Sequence, residues 1–281
     1  MSIEQQNPLS KFFRQPAIYI KLPSGGKWWK EEALELAVTG ELPVYAMTTK
    51  DEIVLKTPDA LLNGQGVVDV IQSCVPGIKN AWEMPSIDVD AVLIAIRIAS
   101  YGEHMHIETV CPHCKAENDY DIDLKPILGG IQCPDYSQKI EYQTLKIKLH
   151  PQRYFAVNQS NRVAFEEQKL SDAINNIGTD IDPDEKIRLL SESMTKLVDL
   201  GIMSVVESIE YIEMEDGSRI SNKAHLKEFF ENSESSVIKS IQDKLLELAN
   251  TVKIKPASVV CGECSKPFDV NIEFDYANFF V

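Results

Sequence analysis

Hydrophobic and polar positions alternate along Ala17-Ile18-Tyr19-Ile20-Lys21-Leu22, which predicts a strand, and Pro23-Ser24-Gly25-Gly26 stops it with turn residues. Thr49-Lys50-Asp51-Glu52 reads as a capping box opening a short helix that ends at Leu55. Pro58 then starts a turn or helix over Asp59-Ala60-Leu61-Leu62, closed by Asn63-Gly64, and a further helix covers Val67 to Cys74. The segment from Ser86 to about Ser100 is apolar on nearly every side (Val92, Leu93, Ile94, Ile96, Ile98), the pattern of a buried core helix. Past Pro134 the periods change. Ile140, Tyr142, Leu145, Ile147 and Leu149 predict a strand pair, and helical spacing follows at about 153–177 and 183–200. Ile209-Glu210-Tyr211-Ile212-Glu213-Met214 then runs into Glu215-Asp216-Gly217-Ser218, a hairpin turn signal. Two more helical stretches, about 222–232 and 234–251, lead to Pro256.

One pattern occurs twice. Val110-Cys111-Pro112-His113-Cys114 precedes the alternating Tyr120-Asp121-Ile122-Asp123-Leu124, and Val260-Cys261-Gly262-Glu263-Cys264 precedes Val270-Asn271-Ile272-Glu273-Phe274. Cysteines and apolar residues match at a constant offset of 150 residues. Two residues between cysteines let a tight turn aim both sulfurs at one tetrahedral ion, and two such knuckles supply the four thiolates that close a structural zinc shell. Cys111, Cys114, Cys261 and Cys264 are therefore the expected ligands of one structural Zn2+, in a zinc-ribbon-like unit whose two strands pack on each other. The alternative is a pair of independent knuckles with buried thiols or local disulfides, which leaves the strand repeat unexplained. The long separation is no obstacle, because loop-closure entropy grows only logarithmically with length and an inserted domain brings its own ends together. Such an ion would tie the C-terminus to residue 111 and couple metal binding to folding.

Composition narrows the function classes. The chain has 281 residues, 44% of them hydrophobic, which suits one large core or two modest ones. Its formal charge of −15 repels phosphate backbones and anionic membrane surfaces, and suits solubility or a basic protein partner. The N-terminus, MSIEQQNPLSKFFRQ, has no apolar signal region, and the apolar run Ala91–Ile96 is too short to span a bilayer. The expectation is a soluble cytoplasmic protein without membrane insertion, where six cysteines favour metal or free thiols over disulfides.

Other residues invite chemistry and carry less of it. His104 and His106 share a strand face, an arrangement found in metal sites and more often on solvated strands. His106-Ile107-Glu108 beside Cys111-Pro112-His113-Cys114 echoes the zinc deaminase signature, but the proline follows the first cysteine and the spacing is too short. Ser24-Gly25-Gly26-Lys27 lacks phosphate-loop spacing, and no metalloprotease or serine-hydrolase motif is present. Cys74 reads as a small core residue, and Cys133 as a loop thiol or a spare ligand. Trp28-Trp29 either covers the helical core or anchors a partner.

The strings Tyr19–Gly26, Glu41–Glu52, Lys56–Gly64, Val70–Pro76, Asp88–Ala99 and Cys111–Cys114 resemble a tail baseplate family of large contractile-tailed phages, the T-even-like group. The resemblance covers roughly residues 12–125. It implies a non-enzymatic viral protein of the baseplate hub or its assembly, present in the host cytoplasm during assembly and then either kept in the virion tail baseplate or released as an assembly factor, with other hub proteins as partners and no catalytic residues to carry over. Two other classes compete. A zinc-ribbon nucleic-acid adaptor conflicts with Asp119, Asp121, Asp123, Asp269 and Glu273 on the predicted strands. A zinc hydrolase needs an open coordination position that four cysteines deny. The expected architecture is α+β: a mostly helical region over 1–105, a split ribbon from 106–125 plus 255–281, and an α+β insertion over 126–254.

Overall fold

The computed structural model describes residues 8–57, 64–176, 182–252 and 254–271. The fold class is α+β, as the alternating periods imply. Two expectations, the turn or helix at 58–63 and the strand beyond Asn271, lie outside the described residues.

Strand β1 (Pro16–Ile20) pairs antiparallel with β2 (Leu42–Tyr45), a strand the sequence pattern did not predict. The turn-rich stretch between them buries Leu22 and Ala33 and bridges Leu34 to Ile78, so the N-terminal region is less helical than expected. Helix α1 (Thr49–Leu55) starts one residue earlier than the predicted box: Thr48 is the N-cap, and Asp51 answers from the third helical position in place of Glu52. Asp51 wins because its carboxylate also accepts from the Ser73 hydroxyl and pairs with Arg14, contacts available only to the inward-facing side chain. Helix α2 (Gln65–Cys74) and helix α3 (Ser86–Tyr101) complete this part. As its composition requires, α3 is buried nearly all round, and its residues join β1, β2 and α2 in one apolar cluster. Charge enters that cluster at Asp88, which is fully buried and accepts from the Ser24 amide (2.7 Å), the Ser24 hydroxyl (2.6 Å) and the Trp29 indole (2.9 Å).

Strands β3 (His104–Val110) and β4 (Glu117–Asp123) form a seven-rung antiparallel hairpin. A short helix, α4 (Leu124–Gly130), capped by Asp123 and not anticipated, then turns the chain back so that Leu124 is buried in the first cluster. The second cluster is built on the antiparallel sheet β5 (Lys139–Tyr142), β6 (Leu145–Leu149), β7 (Ile209–Glu213), β8 (Arg219–Ile220). Helices α5 (Tyr154–Asn176) and α6 (Pro183–Glu207) form a long antiparallel pair between β6 and β7, and α7 (Lys223–Glu231) and α8 (Ser235–Val252) follow. Ile147, Leu149, Val206, Ile212, Phe230 and Ile241 are among its buried members. Ile254, just past α8, packs on the first cluster again. The chain thus leaves that cluster after Ile131, touches it again at Tyr154 and returns to it at Ile254, and this last return brings the C-terminal hairpin, β9 (Ala257–Val260) and β10 (Pro267–Val270), beside β3–β4.

Candidate metal centre

Each Cys-x-x-Cys pair sits in the turn of its own hairpin. In the first, the Cys111 amide donates to the Ala116 carbonyl (2.9 Å) and the Lys115 amide to the Cys111 carbonyl (3.0 Å). In the second, the Cys261 amide donates to the Lys266 carbonyl (3.0 Å) and the Ser265 amide to the Cys261 carbonyl (3.0 Å). The residue after the second cysteine is left-handed in both, Lys115 at φ 64° and Ser265 at φ 55°. Neither is glycine, so ordinary turn signals do not mark them; the 150-residue repeat carries over to the backbone conformation itself.

The strands do not join as the repeat suggests. Each knuckle's strand pairs with the strand before it, giving two separate two-stranded sheets. Side chains make the contact between them. The Tyr120 hydroxyl donates to the Val260 carbonyl (2.9 Å), and the Tyr120 and Phe268 rings meet edge-on with centroids 6.1 Å apart. Asn118 accepts from the Gly262 amide (2.9 Å) while its own amide holds the Ala116 carbonyl (2.9 Å), so one side chain ties both knuckle turns together. Sequence reasoning missed Asn118 and Tyr120, whose roles depend on which hairpin lies opposite.

The four sulfurs converge, all within 4.8 Å of one another. Cys111 lies 3.8 Å from Cys264 and Cys114 lies 3.6 Å from Cys261. A regular tetrahedron of sulfurs with zinc–sulfur bonds of about 2.3 Å has edges of about 3.8 Å, so the spacing fits one ion. Cys111 and Cys261 are buried, Cys264 is half-buried and Cys114 is exposed. Amide donors from Cys264 and Glu263 draw the Cys261 thiol down to about 6. At Cys114 an amide donor from Ala116 pulls down, but desolvation and proton sharing with the other three sulfurs prevail and push it up to about 12. A cation at the centre of four sulfurs removes that competition, since thiolates are the ligating form.

The chain matches the model of the T4 bacteriophage base plate protein family over residues 15–281. The chain belongs to that family. The match takes in the C-terminal half as well as residues 15–125, so both cysteine knuckles of this baseplate protein fall inside it. No curated protein and no solved structure gives a significant match.

The remaining candidate residues of the baseplate protein are placed elsewhere. Cys74 is buried in α2, its thiol pushed up to about 12 chiefly by desolvation, and Cys133 is an exposed loop thiol outside the four-sulfur cluster. His104, His106 and Glu108 lie on the exposed face of β3, and His113 is exposed on the first knuckle. Trp29 packs on the first apolar cluster, and Trp28 stacks edge-on against Tyr136 at 5.3 Å. Ser24-Gly25-Gly26-Lys27 is a turn held by Asp88. Among the described residues no helix is long and apolar enough to cross a membrane.

Proposed function

We propose that this chain is a non-enzymatic component or assembly factor of the phage baseplate hub, active in the host cytoplasm, in which one structural Zn2+ is held by Cys111, Cys114, Cys261 and Cys264. The observation that carries the reading is a closed four-sulfur cluster in a chain of the baseplate family. Four thiolates leave no position for a catalytic water and lower the ion's Lewis acidity, which favours a clamp over a hydrolase. In this reading the ion locks a split zinc ribbon (106–125 with 255–281) that joins the N-terminal region (1–105) to an inserted domain (126–254). The carboxylates along the exposed face of β4 speak against a nucleic-acid adaptor.

Among the described residues, an exposed apolar face on α6 is available to partner proteins of the hub. Ile187, Met194 and Val198 are 66%, 65% and 63% exposed, and their spacing of seven and four residues puts them on one helix face. The same face carries Val205, buried in the second cluster. The apolar stripe therefore outruns the core it belongs to. The test is native mass spectrometry of the purified chain, followed by co-expression with the hub proteins of the same phage. One zinc per chain and capture of a hub protein are expected. Combining Met194→Glu with Val198→Glu should leave the melting temperature within about 2 °C, as for exposed sites, and abolish the capture. Absence of zinc in a freshly purified, fully reduced protein refutes the clamp, and absence of any hub partner refutes the role.

A further inference from the structure

The β3–β4 hairpin carries a second set of metal-ligating side chains, on the face open to solvent. His106 and Glu108 are two residues apart on β3 and so point the same way; Asp119 stands directly across from Glu108 in the strand register, and Asp121 directly across from His106. One donor atom from each of His106, Glu108 and Asp119 lies within 4.8 Å of the other two. These three residues come from a hairpin pinned by a full seven-rung ladder and by the knuckle turn at its end, so their backbone positions are fixed before any ion arrives.

A separate observation points to a cation. Like charges directly opposite on neighbouring strands are destabilising, yet Glu108 and Asp119 occupy one rung. Among the described residues no lysine or arginine forms an ion pair with Glu108, Asp119 or Asp121. Lys125, at the far end of the hairpin from this rung, pairs with Glu103. The same exposed face adds Glu117 and Asp123. Among the described residues the rung is thus a pair of carboxylates without a lysine or arginine partner, with an imidazole beside it.

We infer that His106, Glu108 and Asp119 form a second cation site, separate from the four cysteines, which takes a borderline divalent transition ion. The donor set decides the class. One imidazole nitrogen and two carboxylate oxygens suit Zn2+, Co2+ or Ni2+, whereas a site selective for Ca2+ or Mg2+ is built of oxygens alone. Three protein ligands leave positions for water or for a donor from a neighbouring protein, so this site is open where the cysteine centre is closed. Its ion bridges β3 to β4, relieves the carboxylate pair and stiffens the hairpin that presents the first knuckle. The inference goes beyond the structural zinc and does not rest on it.

Cobalt separates the two. In a Co2+ titration of the metal-free, reduced protein, thiolate ligation gives intense sulfur-to-metal charge-transfer absorption, and nitrogen–oxygen ligation gives none, so heat and spectrum together count each site. Two equivalents are expected, only one with thiolate bands. His106→Ala and Asp119→Asn should each weaken the band-free equivalent by about tenfold or more, the scale set by disturbing a ligand shell, and leave the thiolate bands intact, which also reports that the knuckles remain folded. A single equivalent, or a band-free equivalent indifferent to both substitutions, overturns the second site. Missing thiolate bands with a His106-dependent equivalent would overturn the cysteine centre instead.

Discussion

Removing metal from the four-cysteine centre should unlatch the C-terminal hairpin while the rest of the molecule stays folded. Without an ion, the hairpins β3–β4 and β9–β10 are held together by the Tyr120–Val260 hydrogen bond, the Asn118–Gly262 hydrogen bond and the Tyr120–Phe268 ring contact. At about 1 kcal/mol each, these contribute about 3 kcal/mol. A structural zinc site contributes on the order of 10–16 kcal/mol. A zinc ion bound there would therefore dominate the latch by several-fold. Folding of the two apolar clusters does not depend on it in the same way, because Leu124 and Ile254 anchor both arms to the first cluster. Hydrogen exchange read by mass spectrometry, before and after chelation under reducing conditions, measures this directly. Amides of 257–260 and 267–270 should drop to about a hundredfold protection, the equivalent of 3 kcal/mol, while those of α3 keep theirs. Protection above a thousandfold in β9 and β10 after verified metal loss would refute the reasoning.

Two further perturbations probe the links around that latch and beneath it. Tyr120→Phe removes a hydrogen bond at an exposed site and keeps the ring contact, so metal affinity measured by chelator competition should fall about two- to fivefold; an unchanged affinity would mean the hydroxyl plays no part in docking. Asp88→Ala strands three donors, from Ser24 and Trp29, and should cost about 3–5 kcal/mol in denaturant unfolding, with a loss below 1 kcal/mol counting against the buried-acceptor account. Burial pushes the Asp88 carboxyl up, against hydrogen bonds from Ser24 and Trp29 that pull it down. With the folded value raised, its contribution to stability is full below the ordinary carboxylate range and lost as pH rises through the raised value. Asp88→Asn should flatten that part of the stability–pH profile, and an unaltered profile would exclude Asp88 as its source.

Local patterns in the sequence determined a good deal. The all-round apolar composition of Ser86–Tyr101 specified a buried helix wherever it was placed, because no face of it can meet water cheaply. The repeated Cys-x-x-Cys spacing specified two turns with paired sulfurs, since two intervening residues set that geometry within a few bonds of each cysteine. The period-two run around Ile147 specified a strand with one face more buried than the other. Only the tertiary structure decided what these pieces meet. Thr48 and Asp51, and not Thr49 and Glu52, form the cap because Arg14 and Ser73 lie next to Asp51 across the fold. The knuckle strands pair with the strands before them because each hairpin closes its own ladder, a short-range event that no offset of 150 residues can report. The two cysteine pairs come within 4 Å of each other because the chain returns to the first apolar cluster at Ile254 before β9 begins. Proximity between positions so far apart is set by where the intervening core folds, and a pattern read along the chain has no access to that distance.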